Sequence, residues 1–487
     1  MEDLMKKFIA LILAAVMLIC VFAACTETGP GPGNETGKPS DDTGKKPVSD
    51  DEIITSVAKQ DYKGASFTFL TISNLDRFTD EIFVDPDEIP EGDVILTGVY
   101  RRNDYVSKYL NVKIEAFPST DAYGEALTLI NSGDTSIDVY NLYKHGCIQI
   151  LTAGFGRNWM DLSIDYNNPW WNKSAFSNLS IEGKLYLMSG SVLISEIDDT
   201  IAMVYNKSLY NDFNINDNIY ELVTNNNWTL DKFIEIVSKC SKDVDGDGKY
   251  EIGNDVLGYI ADPNSMAMNW PFACGFVKSK ITDGVYEAYV PTSKITTMLE
   301  KLEKLFDSNA ASEEEELDPC LNYFRNDKAF VCAIVLRNLE TFRSMDSDYG
   351  VLPYPKFDES QKKYITHVGG ASPIMIIPMQ NCNDDDKLSN ILGALCEASY
   401  RITRPAYYEN ALKQKGTRDD ESIEILDLIL DTRTYDLAYL SAKGVAWTVG
   451  GLVAAKSSKF QRTWASKGAR TINEIQEMID NILENNM

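Results

Sequence analysis

SFTFLTI at residues 66–72, VKIEAF at 112–117 and IDVYNL at 137–142 decide the fold. Each run is short and rich in β-branched and aromatic residues, the composition of a strand. The stretches between them have a different period. Val99 to Leu110 and Glu125 to Asn131 place apolar residues at helical spacing. Strand, helix, strand, helix, strand in that order predicts a parallel sheet with crossover helices. Ligands of such sheets gather at the carboxyl ends of the strands.

The same alternation continues downstream. Ile201 to Tyr205 reads as a strand, and Thr229 can cap a helix whose face is Leu230, Phe233, Ile234 and Val237. Ala329 to Leu336 (AFVCAIVL) is almost wholly apolar, as a strand covered on both faces must be. Ile374 to Ile377 is another strand candidate, and the chain from Ser422 onward is mostly helical. No internal repeat is visible. A length of 487 residues suggests two or three domains, or one large bilobed body.

Apolar residues make up 44% and charged residues 24% of the chain, ordinary globular values that permit a sizeable core. The formal net charge is −27. That excess of acid argues against nucleic acid as a partner and against adsorption to anionic lipid, since both attract Lys and Arg.

The N-terminus carries an export pattern. Lys6 and Lys7 precede an apolar run from Phe8 to Phe22 (FIALILAAVMLICVF). It is shorter than the about 20 residues a spanning helix needs and suits a signal peptide covering 1–24. Ala23, Ala24 and Cys25 resemble the lipobox of bacterial lipoproteins, which implies lipidation at Cys25. That pattern prefers Leu where Phe22 stands, which leaves plain cleavage after Ala24 as the alternative. Thr26 to Asp51 is polar and lacks aromatic residues, so residues 25–55 read as a lipidated cysteine and a disordered tether. Seven of nine cysteines remain beyond Cys25. They are odd in number, scattered and without a CxxC pair, which excludes a disulfide framework and a thiolate zinc site. Free thiols in an exported chain point to an anaerobic source.

Several phrases resemble family 1 bacterial extracellular solute-binding proteins of carbohydrate ABC importers, the group that includes the maltose-binding protein. Ile181-Glu-Gly-Lys184-Leu-Tyr186 is similar to its G-K-L-Y hairpin, and Val204-Tyr205-Asn206-Lys207 to its Y-N-K after a strand. Trp228-Thr229-Leu230-Asp231-Lys232-Phe233 is similar to its WT-D-F helix start. Phe324-Arg-Asn-Asp-Lys328-Ala-Phe330 is similar to F-x-x-G-K-A, with Asp327 in place of the glycine. Tyr349 to Lys356 is similar to its GV-P-PK segment, and Pro405 to Asp436 also looks typical of this group. Together these span most of the chain from about Ile137.

The resemblance implies an α/β, two-lobed periplasmic-binding-protein-like fold of type II, with two or three crossovers forming a hinge. Residues 56–165 and about 366–415 would form lobe 1, and about 166–365 and 416–487 lobe 2. It implies a carbohydrate ligand in the interlobe cleft, a permease partner, a monomer on a lipid anchor at the outer face of a Gram-positive membrane, and no catalysis. An exported glycoside hydrolase, a binder of peptides or other polar solutes, and a surface adhesin or sensor partner remain alternatives.

By the same resemblance, binding loops select Asn141, Tyr143 and His145; Glu196, Asp198 and Asp199; Asn269 and Trp270; Arg337 and Glu340; and Trp447. Trp171, beside Trp170, belongs to a segment typical of the subgroup. Sugars want aromatic planes against their C–H faces and carboxylates, amides or guanidiniums for their hydroxyls. Any one of these tryptophans serves equally well as a core residue, and the counterpart of Trp270 in the maltose-binding protein is mainly structural.

Asp243, Asp245 and Asp247, with Gly248, Lys249 and Glu251, resemble an EF-hand-type calcium loop. Asn254 stands where a bidentate Glu is expected, which leaves a solvated Asp/Gly turn as the alternative. A bound Ca2+ there would be structural.

Overall fold

The computed structural model describes residues 53–486 apart from 76, 249, 251, 309, 314–315, 382–383 and 409–419. The export run, Cys25 and nearly all of the tether lie outside the described residues, as do Lys249, Glu251 and Cys382.

In chain order the strands are β1 Ala65–Ile72, β2 Val112–Ser119, β3 Val139–Tyr143, β4 Leu187–Met188, β5 Ile201–Asn206, β6 Leu257–Ala261 and β7 Ser279–Thr282. They continue with β8 Val285–Ala288, β9 Ala311–Glu313, β10 Ala329–Val335, β11 Tyr349–Leu352, β12 Thr366–His367, β13 Pro373–Ile376 and β14 Arg433–Thr434. Two five-stranded sheets dominate, ordered β2-β1-β3-β13-β4 and β11-β5-β10-β6-β9.

The expected βαβαβ unit opens the first sheet. β1 is parallel to β2 and to β3, and helices Val94–Leu110 and Ala122–Ser132 make the crossovers. The first helix starts where the Asp93 carboxylate accepts the amides of Ile95 and Leu96, satisfying donors that have no partner within the helix. It stops at Asn111, which takes a left-handed φ of 47°. β13 then enters antiparallel to β3, and β4 pairs on its far side.

β10 organises the second sheet. All seven of its residues are buried, as its sequence AFVCAIV demands. It pairs antiparallel with β5 and parallel with β6. Two of the family-like phrases contain left-handed backbone with clear local causes. Asp327 stands where glycine is usual and adopts φ 57°, and its carboxylate is held by the side-chain amide of Asn206. Glu182 and Gly183 both take positive φ, closing the tight turn in which Ile181 and Lys184 exchange backbone hydrogen bonds.

Each sheet has its own core. Among the described residues the chain passes from one to the other at 189–200, at 353–372, at 399–407 and again at 431–434. The lobe assignment differs from the expected boundaries in two places. Leu187 and Met188 lie in the first sheet, so the segment just after residue 166 stays with lobe 1. The tail is shared: Val445, Val449 and Phe460 pack in the second core, whereas Ile475, Met478, Ile479 and Ile482 of helix Phe460–Asn485 pack in the first. Asn486 fixes that helix end. Its side chain donates to Leu151 O at 2.8 Å and accepts from Gly156 N at 3.0 Å. The six described cysteines are all free and buried, in keeping with a role as small core residues.

Ile479 is fully buried in the first core, whereas Glu477 on the same helix faces water. Ile479→Ala is expected to lower the unfolding free energy by about 2–5 kcal/mol in urea titrations, and Glu477→Ala by less than about 0.5 kcal/mol.

Candidate ligand-binding cleft

Both sheets present strand ends to a common cavity of about 480 Å³. From the first sheet come Lys144 and His145, directly after β3. From the second come Asp199 and Ile201 at the start of β5, Met266 and Met268 after β6, and Val335 and Arg337 at the end of β10. β5 runs antiparallel to β10, so its first residue lies at the same edge as the last of β10. Gly369, Gly370 and Ala371 of the crossover before β13 form the back, with Leu317, Tyr439, Leu440, Ala442 and Trp447 completing the wall.

Trp447 is the aromatic plate of this cavity. It remains 39% exposed, and its ring stacks on Tyr439 at 5.6 Å and 20°. Its indole N–H donates to Tyr439 O at 2.9 Å, which fixes the ring's orientation. Tyr439 in turn meets Phe272 and His367 edge-on. His367 lies parallel to Phe272 at 4.2 Å.

Charges meet at the floor. Asp199 is only 1% exposed and receives the guanidiniums of Arg77 and Arg337. Arg77 follows β1 and belongs to the first lobe; Arg337 follows β10 and belongs to the second. Asp198 binds Arg77 at 3.3 Å and accepts the Tyr407 hydroxyl. Burial draws the Arg337 guanidinium down to about 10, aided by the nearby charge of Arg77. Lys144 is 3% exposed and donates to Gly369 O at 2.5 Å and Ser372 Oγ at 2.6 Å, tying β3 to the crossover. Burial draws its ammonium down to about 7, against the charge of Glu196.

A second space of about 310 Å³ lies beyond the Arg77–Asp198–Arg337 cluster, lined also by Glu81, Ser195, Glu340 and Tyr407. Glu81 accepts Ser195 N at 2.7 Å and Ser195 Oγ at 2.9 Å, yet burial pushes its carboxyl up to about 7.

The residues singled out from sequence divide among these places. Asp199, Arg337, Trp447 and His145 line the main cavity, and Asp198 and Glu340 line the second space. Others lie in packing. Asn141 is buried within β3 beside Glu81, and Tyr143 packs edge-on against Phe78. Trp171 lies among Trp159 and Tyr166, and Trp270 among Phe233, Tyr259 and Tyr354. Asn269 is buried and bonds Met266 O. Glu196 is engaged by Ser189, Asn172 and Arg433. Sequence reading missed Arg77, Lys144, Tyr439 and the Gly369–Gly370 pair. For Lys144 and the glycines a signal existed, namely their position at a strand end.

The calcium-like loop lies away from this cavity. Asp243, Asp245 and Asp247 bring carboxylate oxygens within 4.8 Å of one another. Asp243 also accepts the amides of Gly246 and Gly248.

No family model and no curated protein matches the sequence. Solved structures do match the fold. A cyclo/maltodextrin-binding protein complexed with maltotetraose is 13% identical, covering 86% of this chain and 96% of that one, at TM-score 0.53. The galacto-N-biose-/lacto-N-biose I-binding protein of the ABC transporter from Bifidobacterium longum, in complex with lacto-N-biose, is 14% identical. It covers 84% of this chain and 98% of that one, also at 0.53. A family 1 extracellular solute-binding protein from Bifidobacterium longum subsp. infantis is 15% identical over 83% of this chain and 99% of that one, at 0.53. The chain therefore has the two-lobed α/β fold of these solute-binding proteins, the fold class that the resemblance implied.

His367 gives this site a pH signature. Burial first, then the Lys144 charge, holds its imidazole well below the ordinary 6.5. As pH falls through 6.5 the unfolded chain takes this proton and the folded chain does not, so His367 costs stability on the acid side. Glu81 acts oppositely between about 7 and 4.5, where the fold takes the proton first. Comparing wild type with His367→Phe isolates the histidine. Between pH 7 and pH 5 the wild type should lose stability relative to the variant in chemical unfolding. A constant difference would contradict this assignment.

Proposed function

We propose that this chain is the substrate-binding lipoprotein of an ABC importer, capturing a sugar or oligosaccharide between its lobes and delivering it to the permease. The observation that carries this reading is the position of Trp447. A half-exposed, stacked indole forms the wall of a cavity built from the strand ends of two separate sheets. A pyranose offers C–H groups on its face and hydroxyls on its rim, and such a plate suits the face. Two bodies joined by several chain passages can close on a guest, and a ligand that touches both favours the closed form. The similar solved structures include binding proteins complexed with maltotetraose and with lacto-N-biose, which supports carbohydrate as the guest.

The remaining parts of the proposal rest on sequence. A signal peptide ending at Ala24, a lipid on Cys25 and a polar tether would hold the monomeric body at the outer face of the membrane. Among the described residues no helix is long and apolar enough to cross a bilayer. The loop at Asp243, Asp245 and Asp247, with Lys249 and Glu251, would take one structural calcium ion, because clustered carboxylates suit a hard cation.

A thermal-shift screen of mono- and oligosaccharides tests the main claim, since a guest that binds only the folded state raises the melting temperature. At least one sugar should do so, and Trp447→Ala should weaken its binding by about tenfold or more in titration calorimetry. Stabilisation by peptides and by no sugar would overturn the carbohydrate reading. Turnover of an oligosaccharide would overturn the transport reading. For the loop, millimolar calcium should raise the melting temperature of EDTA-treated protein, and Asp243→Asn with Asp245→Asn should abolish that rise.

A further inference from the structure

We propose that the cavity selects neutral sugars over uronates, because each buried charged side chain on its wall is already bonded within the protein. The inference rests on the carbohydrate reading and names the class of sugar.

Four ionisable side chains lie on the described wall: Lys144, His145, Asp199 and Arg337. Asp199 is neutralised by a guanidinium from each lobe. Arg337 is held by the same carboxylate, and the second carboxylate of the cluster, Asp198, is held by Arg77 and Tyr407. Lys144 directs its donors at Gly369 O, Ser372 Oγ and, at 3.5 Å, Val368 O, all on the crossover rather than in the cavity. His145 is exposed at the rim, with its ring nitrogen 3.3 Å from Gln149 Nε2. The rest of the wall near Trp447 is apolar, including Ile201, Met266, Met268 and Leu317.

A uronate entering this space would lose hydration from its carboxylate. To regain a counter-charge it must take Arg337 or Lys144 from a partner that is itself buried. Either exchange takes from Asp199 one of its two guanidiniums or from the crossover carbonyls their ammonium donor, and weakening buried pairings is costly. A neutral sugar loses no ionic hydration and places its C–H face on Trp447 and the methionines. Specificity of this kind comes from what the wrong guest cannot pair with.

Calorimetry on the full folded chain at neutral pH tests this. The probes are neutral malto-, cello-, galacto- and xylotrioses against trigalacturonate and a xylotriose bearing a methylated or free glucuronate. The best neutral probe is expected to bind at least about tenfold more tightly than any uronate. A uronate that binds as tightly as the best neutral probe overturns the inference and leaves the carbohydrate reading intact. No binding by any probe, with peptides active instead, overturns both. Asp199→Asn provides a second arm: with Arg337 released from its carboxylate, uronate affinity should rise relative to neutral affinity. An unchanged ratio in a folded variant overturns the explanation by pairing. Should that variant not fold, the wild-type ratio alone decides.

Discussion

A single buried carboxylate joins the two halves of this molecule. Asp199 lies at the passage from the first sheet to the second and binds one arginine from each lobe. Two guanidiniums so placed would otherwise repel. With Asp199 between them they become an attractive bridge, and with Asp198 beside it the cluster of two acids and two arginines has no net formal charge. Its backbone carbonyl also accepts Gly369 N at 2.7 Å, which binds the first passage to the second. Floor and hinge are therefore one structure.

Lys144 plays a matching part on the opposite wall. It reaches from the end of β3 to the crossover that leads into β13. Any rotation of one lobe against the other must respect these two anchors. The rings of Trp447, Tyr439, Phe272 and His367, in stacked and edge-on contact, add stiffness beside them. The result is a recess whose polar groups are occupied with holding the protein together and whose free surface is largely apolar. A guest is met chiefly by shape and by an aromatic face.

Much of the fold could be read from residues. The three opening strands and the buried run of β10 carry local signals: composition, period and capping. The share-out of the tail could not be read, because helix Phe460–Asn485 has an apolar stripe that would suit either core, and only tertiary contact decides. The site was half legible. Asp199, Arg337 and Trp447 were found through family-like position. Trp171, Trp270 and Asn141 were chosen by the same resemblance, and position along a family-like phrase does not separate a side chain facing a guest from one filling a core. Arg77 escaped notice because its partner is more than a hundred residues away in the chain, a pairing that no local pattern records.

The anchoring of Asn486 has a consequence for how the molecule comes into being. Asn486 closes hydrogen bonds with Leu151 and Gly156, more than three hundred residues away, and the helix before it supplies part of the core around β1 and β3. β13, more than two hundred residues after β3, must also arrive before that sheet is complete. Long-range pairings of this kind form late and slowly. The first lobe therefore closes only once segments from far along the sequence have come back to it, so its two halves of core are bound together by the slowest contacts in the fold.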